Sequence, residues 1–184
     1  MEIQPLAIPD VLLIRPEKHG DHRGFVSEVY SKRDFAAAGI TIDFVQDNHS
    51  FSAQPGTLRG LHFQAPPFAQ NKLVRATRGR ILDVAVDIRR ASPTFGAYVA
   101  AELSAENWEQ MLVPAGFAHG FVTLEPDTEV LYKLSQYYAP EHERGVAWDD
   151  PALAISWPIA REAVTLSERD TKWPRLADAP VLFD

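Results

Sequence analysis

Short alternating segments separated by turn-forming residues recur along the whole chain, and they constrain the fold more than any other feature. Residues 81–88 alternate, and the even-numbered positions from Leu82 to Ile88 are all apolar, which is the period-two pattern of a β-strand. The Gly79 region before them predicts a hairpin turn back to a strand over residues 72–76. Further strands are predicted at residues 23–30, 44–50, 57–64, 96–102, 111–114, 120–124 and 128–138.

Helix signals are few. The run Ser31-Lys32-Arg33-Asp34 resembles a capping box with Asp in the place of Glu, and Gly39 would end the helix about two turns later. Short helical pieces are also predicted at residues 104–109 and near Ser167. The 14 prolines are spread along the 184 residues instead of marking one linker. We therefore predict one all-β domain over residues 1–184, a sandwich or barrel with a few short helices.

Composition limits the compartment and the partners. The 25 acidic residues outnumber the 18 basic ones, and the net charge of −7 argues against a nucleic-acid-binding surface. No apolar run approaches the ~18 residues needed to span a bilayer, and the N-terminus lacks the pattern of a signal peptide. The absence of cysteine excludes disulfides and thiolate chemistry. We expect a cytoplasmic protein without a nucleic-acid or membrane partner.

Two of the six histidines lie in settings that suggest a function. His62 lies in the predicted strand at 57–64, and His119 follows a turn shaped by Pro114 and Gly116. An isolated histidine is more often a hydrogen-bonded structural residue. In a β-barrel, however, inward-facing residues from several strands converge on one cavity.

A metal site must be considered, because a Gly-rich strand with His followed by Pro-x-Gly-x-x-His resembles the cupin signature. A cupin metal site usually adds His-x-His and a nearby Glu. Here Phe63 and Gln64 follow His62, and no carboxylate occurs before Asp83. One ligand from the first motif is too few for a metal site, so we expect no functional metal.

The remaining polar residues suit proton transfer. His62 is a candidate base, since the ordinary pKa of histidine is near working pH. Lys72, among apolar residues, could stabilise an oxyanion. The alternative is an ordinary solvated lysine, which the sequence does not distinguish. Tyr132 and Tyr138 have the same parity on the predicted strand 128–138, so either could be an acid or simply pack with a satisfied hydroxyl. Asp170 could orient a histidine.

One difficulty concerns strand parity. Arg59 and His62 are three residues apart and would face opposite sides of a regular strand. Both reach the same cavity only if Gly60 allows a bulge, or if Arg59 lies at the cavity mouth.

At these residues the sequence closely resembles the dTDP-4-dehydrorhamnose 3,5-epimerase family, whose members are cupin-like jelly-roll enzymes. The resemblance covers nearly the whole chain and implies a jelly-roll β-barrel. The matching blocks are GDHRGF (20–25), QDNHS (46–50), LRGLH (58–62), DVAVDIR (83–89), SPTFG (92–96), PAGFAHGF (114–121), DP (150–151), WP (157–158) and LSERD (166–170).

The resemblance implies catalytic roles for particular positions. His62 is similar to the family's base, paired with Asp170, and Tyr132 to the acid on the opposite face of the sugar. Lys72 would stabilise the enolate oxygen at C4, with His119 lining the same region. The family needs no cofactor, so none is expected here.

It also implies how a dTDP-sugar is bound, in homodimers whose sites are shared between subunits. Arg169 stands where lysine is common in the family, so the charge is kept while the geometry can differ. The substrate-binding residues implied are Arg59 and Arg169 at the diphosphate, Gln46, Asn48 and Glu143 at the nucleotide or sugar, Tyr138 stacked on thymine, and the segment Arg23, Phe25 and Glu28, with Arg23 and Glu28 reaching over from the second subunit.

The function implied is inversion of C3 and C5 of dTDP-4-dehydro-6-deoxy-D-glucose through an enolate, giving dTDP-4-dehydro-L-rhamnose. The nearest alternative is an epimerase that acts on C3 alone in a related dTDP-deoxysugar pathway. A non-catalytic sugar-nucleotide-binding cupin and a metal-dependent cupin enzyme are the alternatives from other classes.

Overall fold

Two antiparallel β-sheets form most of the molecule, which a computed structural model describes at residues 1–180 and 183. One sheet contains, in spatial order, β1 (Glu2–Pro5), β2 (Leu12–Arg15), β10 (Gln110–Val113), β7 (Lys72–Arg78), β12 (Thr128–Leu134) and β5 (Gln46–Ser52). The other contains β13 (Glu143–Gly145), β6 (Leu58–Gln64), β11 (Phe117–Thr123), β8 (Arg80–Asp87) and β9 (Tyr98–Ser104). A separate hairpin pairs β3 (His19–Asp21) with β4 (Gly24–Val26).

The two sheets pack face to face over an apolar core. Val74 and Met111 from the six-stranded sheet meet Ala85, Leu103 and Phe117 from the five-stranded sheet in one buried cluster. The predicted all-β jelly-roll architecture is confirmed. Within residues 1–180 the two sheets keep separate hydrogen-bonded ladders, so the fold is a jelly-roll sandwich and not a closed barrel.

The hairpin predicted at Gly79 is wrong. Strand β7 pairs with β10 and β12 in one sheet, whereas β8 pairs with β11 and β9 in the other. The chain therefore changes sheets at Gly79. Gly79 has a left-handed φ of +69°, and an added Cβ would lie 2.3 Å from Thr128 Oγ1. The glycine that signalled a turn from the sequence forms the corner of the sandwich instead.

The apolar face predicted for residues 81–88 exists, but it lies on the outside of the five-stranded sheet. Val84 and Val86 pack beneath the later part of the chain, against residues such as Val146 and Leu153. The odd-numbered positions of β8 face the six-stranded sheet, as Ala85 does in the cluster between the sheets. By the alternation of a strand, Asp83 shares that inner face.

The predicted helix is confirmed as α1 (Lys32–Ala37). The Ser31 side chain accepts a hydrogen bond from the backbone N–H of Asp34, and Gly39 ends the helix with φ +86°, as capping chemistry requires. Phe35 anchors the helix on the outer face of the six-stranded sheet. The remaining helical pieces are 3-10 turns at Pro140–His142, Arg161–Ala163, Asp170–Lys172 and Leu176–Asp178. None of the helices in the described ranges is long and apolar enough to cross a membrane.

Two predicted strands are shorter than expected. The strand predicted at 128–138 ends at Leu134, just before the Ser135 hydroxyl accepts a hydrogen bond from the backbone N–H of Asn71. The strand predicted at 23–30 is confined to Gly24–Val26. The short strands β1, β2, β3 and β13 were not predicted, since three or four residues are too few to show a period.

The helical piece predicted at residues 104–109 is a turn. Asn107 prevents a helix because its side-chain oxygen accepts from the backbone N–H groups of Ser104 and Glu109, at 3.0 Å each. Such local bonds compete with helical ones. Trp108 follows with a left-handed φ of +63°.

We expect Gly79→Ala to destabilise the protein more than Gly39→Ala. Both positions have positive φ, so each substitution costs about 1–2 kcal/mol of backbone strain. Only at Gly79 does the new Cβ also collide with Thr128, which adds about 1–3 kcal/mol. Denaturant unfolding of both variants measures the difference, and equal losses would contradict the role of Gly79 as a packed corner.

Candidate active site

A cavity of about 570 Å³ opens between the two sheets, and most of the chemically reactive residues predicted from the sequence line it. Its walls come from β5, β7 and β12 on one side and from β6 and β11 on the other, with two loops at the mouth. Eleven of the fourteen predicted residues line it: Gln46, Asn48, Arg59, His62, Lys72, His119, Tyr132, Tyr138, Glu143, Arg169 and Asp170.

A bulge in β6 resolves the parity difficulty. His62 pairs with His119 of β11, but Arg59 pairs with Phe121, so Gly60 and Leu61 lie opposite the single residue Gly120. The extra residue returns Arg59 and His62 to the same side of the sheet, and both line the cavity. The Gly60–Leu61 peptide is cis, and Gly60 has φ +145°. Of the two alternatives that the sequence left open, the structure shows the bulge at Gly60.

His62 and Asp170 form a hydrogen-bonded pair. His62 Nε2 lies 2.5 Å from Asp170 Oδ1, which leaves Nδ1 as the ring nitrogen available to a ligand. Asp170 is buried, and burial raises its pKa. Hydrogen bonds from His62, Ser167 and Trp173 outweigh that effect, so the pKa of Asp170 is lower than its ordinary value. The carboxylate therefore stays charged beside the imidazole.

Trp173 contacts both His62 and Asp170. It was not among the predicted site residues. Its indole N–H donates to Asp170 Oδ1 at 3.2 Å, and its ring lies edge-on to His62 with centroids 6.0 Å apart. The ring fits because Gly145 has no Cβ; an added one would lie 2.4 Å from the indole. Trp173 lies beyond the last matching sequence block, so only the folded structure identifies it.

Lys72 is buried on the wall opposite His62. Its Nζ donates to the backbone oxygen of His62 at 3.3 Å, and the residue is only 9% exposed. Burial lowers the pKa of Lys72 to about 8, while the charges of Asp83 and Glu143 raise it in part. Lys72 is therefore not an ordinary solvated lysine. It is a buried cation that lines the cavity.

A second histidine–carboxylate pair is buried in the cavity wall, which His119 lines. His119 Nε2 is 2.7 Å from Asp83 Oδ1, and both residues are buried. Burial lowers the pKa of His119, and the charge of Asp83 acts in the opposite direction. Asp83 Oδ2 is buried and has no hydrogen-bond partner in the described part of the chain. Asp83 was not among the predicted site residues. The sequence did contain a signal for it, because Asp83 is a charged residue on the strand face opposite the apolar positions Leu82 to Ile88.

Tyr132 faces the cavity from the six-stranded sheet. It pairs with Asn48 of β5 and Val74 of β7 and packs against the core between the sheets. His62 belongs to the five-stranded sheet, so the candidate acid and base come from opposite walls of one cavity. Phe121, on the strand next to His62, also lines it.

Tyr138 reaches the mouth of the cavity from a loop and not from the strand that carries Tyr132. Its backbone N–H donates to Gln46 Oε1 at 3.1 Å, and its hydroxyl donates to Glu143 Oε2 at 2.7 Å. The hydrogen bond to Glu143 raises the pKa of Tyr138. Arg169 pairs with the same carboxylate. The shared-parity argument for the two tyrosines is wrong, although both line the cavity.

Arg23, Phe25 and Glu28 lie outside this cavity, on and just after the β3–β4 hairpin. Arg23 bonds to Asp21 within the hairpin, and Phe25 is half exposed. Across the described residues, no three His, Cys, Asp or Glu side chains are grouped so that they could hold a metal.

Comparison with known proteins adds the relatives of the chain. A family model described as dTDP-4-dehydrorhamnose 3,5-epimerase matches residues 5–178. The Pseudomonas aeruginosa protein of that name is 56% identical over 180 residues, covering 97% of this chain and 98% of the relative. The Sinorhizobium fredii protein of that name is 55% identical over 183 residues, covering 100% and 93%.

A solved structure agrees with these relatives. The crystal structure of dTDP-6-deoxy-D-glucose-3,5-epimerase from Legionella pneumophila, in complex with dTDP-4-keto-L-rhamnose, has a TM-score of 0.93 at 44% identity. It covers 99% of this chain and 97% of that one. The similarity therefore extends over the whole sandwich and includes both cavity walls.

The charge of Lys72 can be tested directly by NMR titration of lysine carrying a ¹³C label at Cε. We expect Lys72 to titrate near its pKa of about 8. Asp83→Asn should move the titration to lower pH, because it removes the negative charge that favours the ammonium form. Glu143→Gln should have a smaller effect of the same sign. Asp47→Asn, at the exposed partner of Lys133, is the control without effect. A titration of Lys72 at its ordinary 10.5 would contradict this account.

Proposed function

The chain belongs to the dTDP-4-dehydrorhamnose 3,5-epimerase family, and we propose that the residues gathered in the cavity carry out that family's reaction. The chain inverts C3 and C5 of dTDP-4-dehydro-6-deoxy-D-glucose and gives dTDP-4-dehydro-L-rhamnose. The observation that carries the mechanism is the placement of His62 with Asp170 on one wall and Tyr132 on the other, around a buried Lys72.

The reaction requires a base, an acid and an oxyanion partner. Protons at C3 and C5 are acidic because the carbanion left behind delocalises into an enolate with the C4 ketone. Inversion requires removal of the proton from one face of the sugar and its return to the other. Hydrogen leaves and returns as a proton, so the chemistry calls for no electron acceptor.

His62 removes the proton. Its Nε2 is bonded to Asp170, so the ring presents Nδ1 to the substrate as the basic nitrogen. The charged carboxylate of Asp170 selects this tautomer and stabilises the imidazolium that forms. Trp173 supports the same carboxylate and thereby keeps the imidazole in one orientation.

Tyr132 returns the proton from the opposite wall. A phenol donates a proton to the enolate carbon and becomes a phenolate. Before the next inversion the phenolate regains a proton, and the His62 imidazolium loses one, by exchange with solvent. Since Tyr132 and His62 belong to different sheets, a sugar ring between them meets the base on one face and the acid on the other.

Lys72 stabilises the enolate oxygen at C4. A buried ammonium interacts strongly with developing negative charge because the surrounding dielectric is low. Asp83 keeps Lys72 protonated and holds the His119 ring in place, and His119 lines the same cavity as Lys72. Asp83 is a positioning residue, since it is fully buried.

The cavity mouth binds the nucleotide. Tyr138 offers an exposed aromatic face for stacking on thymine. Arg59 and Arg169 supply cations for the diphosphate, and Arg169 must exchange its pairing with Glu143 for the phosphate oxygens. Gln46, Asn48 and Glu143 then serve as hydrogen-bonding groups for the nucleotide or sugar.

The substrate site is completed by a second copy of this chain in a homodimer. Arg23, Phe25 and Glu28 do not line the cavity of their own subunit, and Phe25 and Val26 expose apolar surface at the hairpin. Strand β5 at the sheet edge exposes Phe51 as well, and an apolar sheet edge favours pairing with another chain. We propose that residues 1–184 form one domain that acts in the cytoplasm.

Turnover in heavy water tests the double epimerisation. We expect deuterium at both C3 and C5 of the product, because each inversion exchanges one carbon-bound proton. Label at C3 alone would identify a 3-epimerase and contradict the proposal. Mass spectrometry and proton NMR of the recovered sugar locate the label.

Variants of the two walls test the roles of the acid and the base. His62→Asn should abolish exchange at both carbons. Tyr132→Phe should permit exchange by His62 while inversion falls by about 10²- to 10⁴-fold, as expected for loss of a general acid. Full turnover by either variant would contradict the assigned mechanism.

Mixed dimers test the shared site. Arg23→Ala should raise KM roughly tenfold, a loss of ~1.4 kcal/mol. In a mixture with His62→Asn, a mixed dimer contains one site with an intact His62 and an intact arginine from its partner. Normal KM should return in that fraction. If the purified mixed dimer shows no such recovery, the sites are not shared.

A further inference from the structure

We propose that Trp108 is a positioning residue that sets the conformation of the hairpin arm, residues 18–29, and thereby presents Arg23 and Glu28 to the site of the second subunit. The inference rests on the shared-site homodimer proposed above. Trp108 lies in the turn between β9 and β10 and belongs to none of the sequence blocks that signalled function.

Trp108 contacts the arm near the open end of the β3–β4 hairpin, opposite its tip at Asp21–Gly24. The indole N–H donates to Ser27 Oγ at 3.0 Å, and the ring meets Phe25 edge to face, with centroids 4.9 Å apart at 87°. One side chain therefore holds two arm residues that flank the exposed Val26. Both contacts depend on the orientation of the indole, and so they fix direction as well as distance.

Two cations add to this contact. Lys18 Nζ lies 4.3 Å from the centroid of the Trp108 ring and 4.7 Å from that of Phe25. The guanidinium of Arg75, on β7, lies 4.6 Å from the same indole. Lys18 is the first residue of the arm, so three arm residues, Lys18, Phe25 and Ser27, contact Trp108. Arg75 packs on the same indole from the six-stranded sheet.

The backbone holds Trp108 in an unusual conformation. Its φ of +63° is rare for a bulky side chain. The Asn107 side chain maintains it by accepting from the backbone N–H groups of Ser104 and Glu109, and by donating to the oxygen of Glu102 at 2.8 Å. Strained residues held by such networks concentrate at functional positions.

The arm has few other anchors. Gln110 is buried and donates to the oxygen of Val29 at 2.7 Å, which fixes the base of the arm. Arg23 bonds to Asp21 inside the hairpin, and Val26 is 72% exposed. The arm buries little apolar surface in its own subunit, so its direction depends on Trp108 while the stability of the sandwich does not.

Kinetics of Trp108 variants test the inference. Trp108→Leu should raise KM about tenfold, with kcat within about twofold of the parent because the acid, base and oxyanion partner are untouched. Trp108→Phe keeps the ring contacts but loses the N–H donor, so its KM should rise less. Glu106→Gln, in the same turn, is the matched control and should leave KM unchanged. A lower melting temperature with unchanged KM would show a merely structural role and overturn the inference.

Mixed dimers separate this inference from the shared-site proposal. In a mixture of Trp108→Leu with His62→Asn, the site with an intact His62 receives the intact arm of its partner, and its KM should return to normal. A raised KM that persists would place the effect within one subunit and overturn the inference. If Arg23→Ala also fails to recover with His62→Asn, the shared site itself is wrong. Recovery for Arg23→Ala together with an unchanged KM for Trp108→Leu overturns only the role of Trp108.

Discussion

A close backbone contact between Gly60 and Gly120 determines where the reactive side chains point. A Cβ on Gly60 would lie 2.6 Å from Gly120 Cα, so only glycine allows the two strands to approach at the bulge. The bulge turns Arg59 and His62 to the same side and leaves His62 beside His119. Without it, His62 and Arg59 would face opposite sides of the sheet. The geometry of the cavity therefore depends on a contact in which no catalytic atom takes part.

Burial gives the site its electrostatic character. Lys72, Asp83 and His119 lie between the sheets, where charged groups interact strongly and cost free energy unless they are paired. The pKa of Lys72 falls to about 8 because of burial, and Asp83 limits the fall. The same residues would be ordinary solvated groups on a surface. The global charge of −7 carries no information on this arrangement, since the cations of the cavity come from separate segments.

The sequence predicted local structure well and long-range pairing poorly. The capping of α1 by Ser31 and its end at Gly39 follow from nearby residues, and both are confirmed. The hairpin at Gly79 was wrong because a turn signal does not specify which strands pair afterwards. The shared-parity argument for Tyr132 and Tyr138 was wrong for a similar reason, since the strand ends at Leu134 and Tyr138 lies in a loop. Asp83 was missed because its partner His119 is 36 positions away, and Trp173 was missed because its packing against His62 and Gly145 arises only in the fold.

By itself, the sequence determined the all-β class, the short helix and the set of chemical groups available for proton transfer, because alternation, capping and side-chain chemistry are properties of a few adjacent residues. Only the tertiary structure decided which groups meet. It placed His62 opposite Tyr132, aligned Asp83 with His119 and packed the hairpin arm against Trp108. These outcomes depend on strand register and on packing between residues as far apart as His62 and Asp170, 108 positions, which no local pattern specifies.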